Sequence, residues 1–327
     1  MSKNLRILLD GYIDGNFGDD LMLYLAADGL KEHKLYITSP KLDIAEYTEE
    51  KSGFDRYLKV TGSGFLIHNN KGIAYRMRDM YREKRYSKNR AVINCNISGF
   101  INRVAEKVIQ KQISDYDFVT VRDRYSYEYI TKNIPNVKCE KYPDMVLSLS
   151  DGMIPNVHSE NALGISVHNS ADINLLAEIA DRFINETGRN VCLLCFNTGL
   201  EDDVSVANQV YGIMKNKHMT EIIRYKDIND MLKNIKRCGA ILGIRFHSAM
   251  LALRMGVPVV PIAYSDKTKN ALDEIGYSGK IYDVNNIDTD EVLKSILNAV
   301  PYKLDGNIIK SAENHIKRFD EYIKRQC

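Results

Sequence analysis

The 327-residue sequence has no apolar run approaching the ~20 residues that a membrane-spanning helix needs. Its start, MSKNLRILLDGY, lacks the make-up of a secretory signal and reads instead as a short strand opening a fold. These two absences set the expectation of a cytoplasmic chain. Cysteine is scarce: six in this length exclude a disulfide-stapled scaffold. Cys192 and Cys195 have CxxC spacing within VCLLCF, but residues three apart on a strand point to opposite faces, so core packing is the expectation. No other His/Cys cluster has zinc spacing, and no metal is expected. Net charge is also nearly absent: 45 Lys+Arg against 43 Asp+Glu leaves +2, which removes the electrostatic case for nucleic acid. Internal repeats and low-complexity tracts are missing as well.

What is present is an alternation of short apolar runs with longer amphipathic ones. Strands are expected at Leu5–Leu9, Leu35–Thr38, Tyr57–Thr61, Ala91–Cys95 and Phe118–Val121, then at Leu163–Val167, Val191–Phe196, Glu221–Arg224, Ala240–Gly243 and Val259–Ala263. Helical patterns such as Ile173–Glu186 and Val204–Lys215 fall between them. This rhythm predicts the α/β class, with parallel sheets covered by helices on both faces. The rhythm breaks at Ser150–Asn161, where Gly152 and Pro155 sit among polar residues. The expected layout is two doubly wound, Rossmann-like domains facing a cleft: 1–150, a linker at 151–161, 162–305, and a closing helix at 306–327.

In open parallel sheets, ligands sit beyond the carboxyl ends of the strands. Three loops there are unusual. In Gly11–Asp20, GYIDGNFGDD, the glycines do not follow GxGxxG order, and Asp19 or Asp20 can cap the next helix. A turn plus a cap explains the glycines and one aspartate but not Asn16 and the second carboxylate, so a structural and a functional reading both stand. In VTVRDRYSYEYI, Arg122 ends a strand, either aiming a planar cation at a ligand or pairing with Asp123. In AILGIRFHSAMLALRMGVPVV, Arg245 and His247 lie at a strand end and a helix N-terminus together, a place suited to anions. Lys267 follows the next strand on the same sheet edge.

One segment stands out by charge. Arg76–Arg90 holds seven Lys/Arg against two acids, with Met77, Met80, Tyr81 and Tyr86 interleaved. It reads as a solvated helix face, or as a contact for an anionic membrane surface or a lipid-linked diphosphate.

Taken in order, GYIDGNFGDDLM, TGSGFL at Thr61–Leu66, VTVRDRYSYEYI, YPDMVLSL at Tyr142–Leu149 and GIRFHSAMLALRMGVPVVPIAYSDKTKNALDEIG resemble the polysaccharide pyruvyltransferases. The resemblance implies a GT-B-like fold and a transferase that moves pyruvate, as a ketal, from phosphoenolpyruvate to a hydroxyl pair on a saccharide. The donor side would be the second domain and the acceptor side the first. Phosphoenolpyruvate would be a co-substrate, with no cofactor besides. Arg122, Arg245, Phe246 and His247 would hold the donor, with Lys267 beside them. His247 would be phosphate partner or acid, and Asp19 the base with Asp20 as its substitute. Acceptor contacts are expected at Asn16, Gly64 and Asn69. The acceptor would be lipid-linked, in capsule, exopolysaccharide or cell-wall synthesis at the inner face of the plasma membrane. Two stretches depart from the family pattern: GSG at Gly62–Gly64, and NCNISGF without its proline, in a loop expected to face the acceptor. The rival readings are a nucleotide-sugar glycosyltransferase, with Asp266 and Glu274 gripping a ribose, and a non-catalytic saccharide-binding homologue.

Overall fold

The computed structural model describes residues 4–62, 65–67 and 70–326, without the side chains of residues 66, 67, 70, 98, 99 and 267. The chain divides into two compact units: residues 1–13, 19–148 and 309–327 form the first, and 14–18 with 149–308 form the second.

The first unit carries strands β1 (Arg6–Asp10), β2 (Lys34–Ile37), β3 (Glu46–Tyr47), β4 (Arg56–Val60), β5 (Phe65–Ile67), β6 (Arg90–Cys95), β7 (Ile97–Phe100), β8 (Phe118–Val121) and β9 (Cys139–Lys141). Seven of these make one parallel sheet in the order β3-β2-β1-β4-β6-β8-β9, with β5 and β7 paired apart. The helices are α1 (Phe17–Gly29), whose first two residues group with the second unit, α2 (Asn70–Tyr86), α3 (Arg103–Ser114) and α4 (Arg124–Asn133). Strands buried on both faces must be almost wholly apolar, which is why Leu8, Val92, Val119 and Val121 pack with Ile109, Ile113 and Ile130 in one core.

The second unit carries β10 (Ala162–Ser166), β11 (Val191–Cys195), β12 (Thr220–Arg224), β13 (Cys238–Gly243), β14 (Val259–Ala263) and β15 (Tyr282–Asp283). Its parallel sheet runs β12-β11-β10-β13-β14-β15. The helices are α5 (Ile173–Thr187), α6 (Asp203–Ile213), α7 (Ile228–Arg237), α8 (Phe246–Met255), α9 (Asp266–Glu274) and α10 (Thr289–Leu297). Leu163, Ile165, Leu193 and Leu242 pack with Phe183, Ile184 and Ile296 in its core. In each sheet the strand order reverses beside the unit's first strand, at β1/β4 and at β10/β13. These reversals open the crevices where doubly wound sheets bind ligands.

The C-terminal segment expected as one closing helix is two, α11 (Gly306–Ala312) and α12 (Asn314–Lys324), broken at Glu313. From Ile309 onward it belongs to the first unit. There Phe319 is fully buried and stands 5.9 Å from Phe118. Among the described residues no helix is long and apolar enough to cross a membrane.

Candidate functional site

Asn16 rather than either aspartate caps α1, accepting from Gly18 N–H at 3.1 Å. That frees Asp19 and Asp20 from the capping role and leaves them within the first helical turn, both buried. Burial pushes the Asp19 carboxyl up to about 7, against the Gly62 N–H and the Arg122 charge, with Asp20 and Asp144 adding to the rise. A helix N-terminus favours a carboxylate by only ~0.3–1 kcal/mol at exposed sites, so full desolvation prevails here. Asp19 Oδ1 is buried without a hydrogen-bond partner among the described residues. A carboxyl group in this state exchanges protons near neutral pH.

Arg122 directly follows β8 and is 5% exposed. It does not pair with Asp123, whose carboxylate instead caps α4 through Ser126 N–H at 2.8 Å. The guanidinium goes to Asp144 at 2.6 Å and to Asn96 Oδ1 at 3.3 Å. Asn94 holds the same carboxylate at 3.4 Å and anchors Met145 N–H at 2.9 Å. It does so with φ of 58°, a left-handed conformation that asparagine tolerates better than most residues. Behind it, Asn94 N–H donates to Thr120 Oγ1 at 3.2 Å.

The Thr120 hydroxyl in turn meets His315 Nδ1 at 2.5 Å, and His315 Nε2 meets the Pro143 carbonyl at 3.0 Å. A carbonyl only accepts, so Nε2 carries the proton and Nδ1 accepts from Thr120. Burial pushes this imidazole down to about 4, which keeps it neutral at pH 7. The chain His315–Thr120–Asn94–Asp144–Arg122 therefore positions the arginine. Sequence reasoning assigned no role to any of its first four members. Asp144 lay in the quoted YPDMVLSL, and Asn94 and Asn96 in the NCNISGF stretch read only as a departure.

In the second unit, residues 14–18 are sewn to the loop after β11. Phe17 N–H donates to Phe196 O and Thr198 N–H to Gly15 O, each at 2.9 Å. Asn16, expected at the acceptor, pairs through its backbone with Asn197. Two glycines of the first loop are explained here. Gly15 has φ of 71°, and a Cβ on Gly18 would lie 1.8 Å from His247 Nδ1. His247 is thus held with its ring against bare backbone, and Phe246 stands edge-on to it at 5.0 Å.

Helix α8 starts at Phe246, two residues before the expected Ser248, with Arg245 as its N-cap. Ser166, ending β10, fixes this entry by accepting from Ile244 N–H at 2.8 Å and Arg245 N–H at 3.1 Å. The Arg245 side chain is already engaged. Its Nε and Nη2 grip Asp203 and its Nη1 meets Glu201 at 2.6 Å. Asp203 also accepts from Phe196 and Asn197 N–H, and burial pushes its carboxyl up while Arg245 opposes. His168, stacked on Tyr264 at 4.5 Å, is pushed down to about 4 by burial and then by the Arg245 charge. Asp203, Glu201 and His168 were not foreseen.

The structure thus groups Asp19, Asp20 and Arg122 in the first unit, and Asn16, Arg245, Phe246 and His247 in the second. Lys267 lies in the first turn of α9, its side chain outside the description; Gly64 and Asn69 are outside the described residues. Asp266 and Glu274 are the first and last residues of α9. Eight residues of helix separate them by about 12 Å, too far for both to grip one ribose. Among the described residues no group of three or more His/Cys/Asp/Glu is placed to hold a metal ion.

Solved structures share this pair of parallel-sheet α/β domains of the GT-B kind. UDP-GlcNAc 2-epimerase from Methanocaldococcus jannaschii superposes with a TM-score of 0.63 at 12% identity, over 98% of this chain and 100% of that one. The enzyme of the same name from Neisseria meningitidis, bound to UDP-GlcNAc, gives 0.58 at 12%, over 98% and 99%. TcCGT1 in complex with UDP gives 0.52 at 10%, over 98% and 94%. Identities this low speak for the fold alone. No curated protein matches the chain. A family model does, over residues 16–266, taking in α1, Arg122, Asp144 and the whole of α8. The chain belongs to the polysaccharide pyruvyl transferase family.

Proposed function

We propose that the protein transfers pyruvate from phosphoenolpyruvate to two hydroxyls of a saccharide, forming a ketal and releasing phosphate. Asp19 carries this reading: a buried carboxyl group with a pKa of about 7 and one oxygen without a partner among the described residues. The reaction adds a proton to the methylene carbon, making it a methyl group. One hydroxyl oxygen bonds to the adjacent carbon and gives up its proton. The carbon–phosphate oxygen bond breaks, and the second hydroxyl closes the ring while its proton leaves with phosphate. Asp19 takes the hydroxyl proton, a role that a carboxyl group near pKa 7 fills at neutral pH. His247 faces the phosphate. Asp203 holds one side of Arg245, so the partner that an incoming anion displaces is Glu201, whose side chain is 57% exposed.

The deciding experiment offers phosphoenolpyruvate with galactose-, mannose- and glucosamine-type acceptors and measures phosphate release. Phosphoenolpyruvate should also raise the melting temperature more than UDP, GDP or their sugars at equal concentration, by mass action on the folded state. Stabilisation by a nucleotide with none by phosphoenolpyruvate would overturn the reading.

A pH signature follows from Asp19. Its folded pKa lies above the unfolded value of 3.8, so the folded state binds the extra proton between about pH 4 and 7. The stability from this group is complete below pH 4 and is lost as pH rises through 7. The rate limb titrating near 7 and this slope in stability should both vanish in Asp19→Asn. Retention of that limb in the variant removes Asp19 from the mechanism.

A further inference from the structure

Helix α2 and Lys51 enclose a cavity of about 400 Å³ on the first unit, within the ~300–1,000 Å³ typical of small-ligand sites. Four cations line it: Lys51, Arg78, Arg82 and Arg85. Asp79, the acid among the lining residues, is already committed to Lys59 and to Arg82, each at 2.6 Å. Among the described residues Lys51, Arg78 and Arg85 form no ion pair. Three uncompensated positive charges around one concavity repel each other until an anion enters.

Tyrosine rings supply the rest of the wall. Tyr75 and Tyr81 are 52% and 67% exposed, and Tyr86 is buried, stacked on Tyr57 at 5.9 Å. Such rings offer an apolar face with a polar rim, suited to the C–H face and hydroxyls of a sugar. The helix beneath is fixed: Glu83 takes Lys59 at 2.7 Å and the Tyr116 hydroxyl at 2.9 Å. A membrane surface fits these observations less well. Two charges of the run are spent, Arg82 on Asp79 and Lys84 on Asp115 at 2.7 Å, and Arg78 and Arg85 face a concavity rather than a flat surface.

We propose that this cavity binds an anionic saccharide, a hexose-sized unit bearing a phosphate or a carboxylate. Binding at this cavity does not depend on which donor the protein uses. Calorimetry on the full chain with glucose 1-phosphate, glucuronate, glucose and inorganic phosphate tests it. One or both charged sugars should bind, glucose should not, and which of the two binds identifies the anion. Arg78→Glu with Arg85→Glu should weaken that binding at least tenfold, with a melting temperature no lower than the parent's. Tyr81→Ala should weaken the sugar and leave inorganic phosphate as before. The proposal fails if the charge variant binds the charged sugar like the parent, or if inorganic phosphate matches the sugar and Tyr81→Ala has no effect. It fails equally if phosphatidylglycerol vesicles, and no soluble saccharide, distinguish parent from variant.

Discussion

Arg122→Ala is expected to destabilise the protein by about 3–5 kcal/mol, the usual cost of removing one partner of a buried ion pair. The loss comes from Asp144, 1% exposed in its side chain, which would stay buried without its 2.6 Å ion pair to Arg122. On sequence grounds Arg122 is a loop residue with little bearing on stability; its burial changes that expectation. Urea unfolding monitored on the parent and variant checks it, as a fall in midpoint at constant slope. Adding Asp144→Asn to Arg122→Met should recover more than half of the loss. Asparagine keeps an acceptor for Val146 N–H, which Asp144 Oδ1 holds at 3.0 Å, and removes the buried charge. A single-variant cost under ~1 kcal/mol would show that water or relaxation already compensates the pair.

His247→Ala should lower turnover at least about a hundredfold, the scale of a lost acid–base or anion-stabilising group. Gly18→Ala should reproduce most of that loss without touching the imidazole chemically. Its Cβ would fall 1.8 Å from Nδ1 and 2.5 Å from Cγ, so the whole ring must swing away. Saturation with phosphoenolpyruvate and a working acceptor, followed by phosphate release, reads both variants. A folded Gly18→Ala protein at near-parental rate would mean that the ring's position is immaterial. His247 would then lose its place in the site.

The sheets were legible because parallel strands buried on both faces must be continuous apolar runs, and VCLLC and VVPIA are short, apolar and rich in Val, Leu and Ile. Phe118–Val121 and Val259–Ala263 match to the residue. Arg245 and His247 were legible because an apolar strand leading into a small-residue helix places them at a strand end. What was hidden depends on contacts far apart in sequence. The partner of Arg122 is 22 positions away rather than adjacent, and His315 reaches Thr120 across 195. The grip of Asp203 on Arg245 spans 42 positions. No local pattern marks such pairs. Nor does the charge of 76–90 reveal that Arg82 and Lys84 are already paired.

Because residues 309–327 complete a unit whose other segments all precede residue 149, the order of synthesis bears on folding. When residue 148 leaves the ribosome the seven-stranded sheet has all its strands but lacks α12 and the His315 ring against Thr120. Residues 149–308 must be made first, about 10–30 s at roughly 5–20 residues per second. During that interval Phe118, 2% exposed in the finished protein, has no Phe319 to cover it, and the sheet face awaiting α12 is open to chaperones.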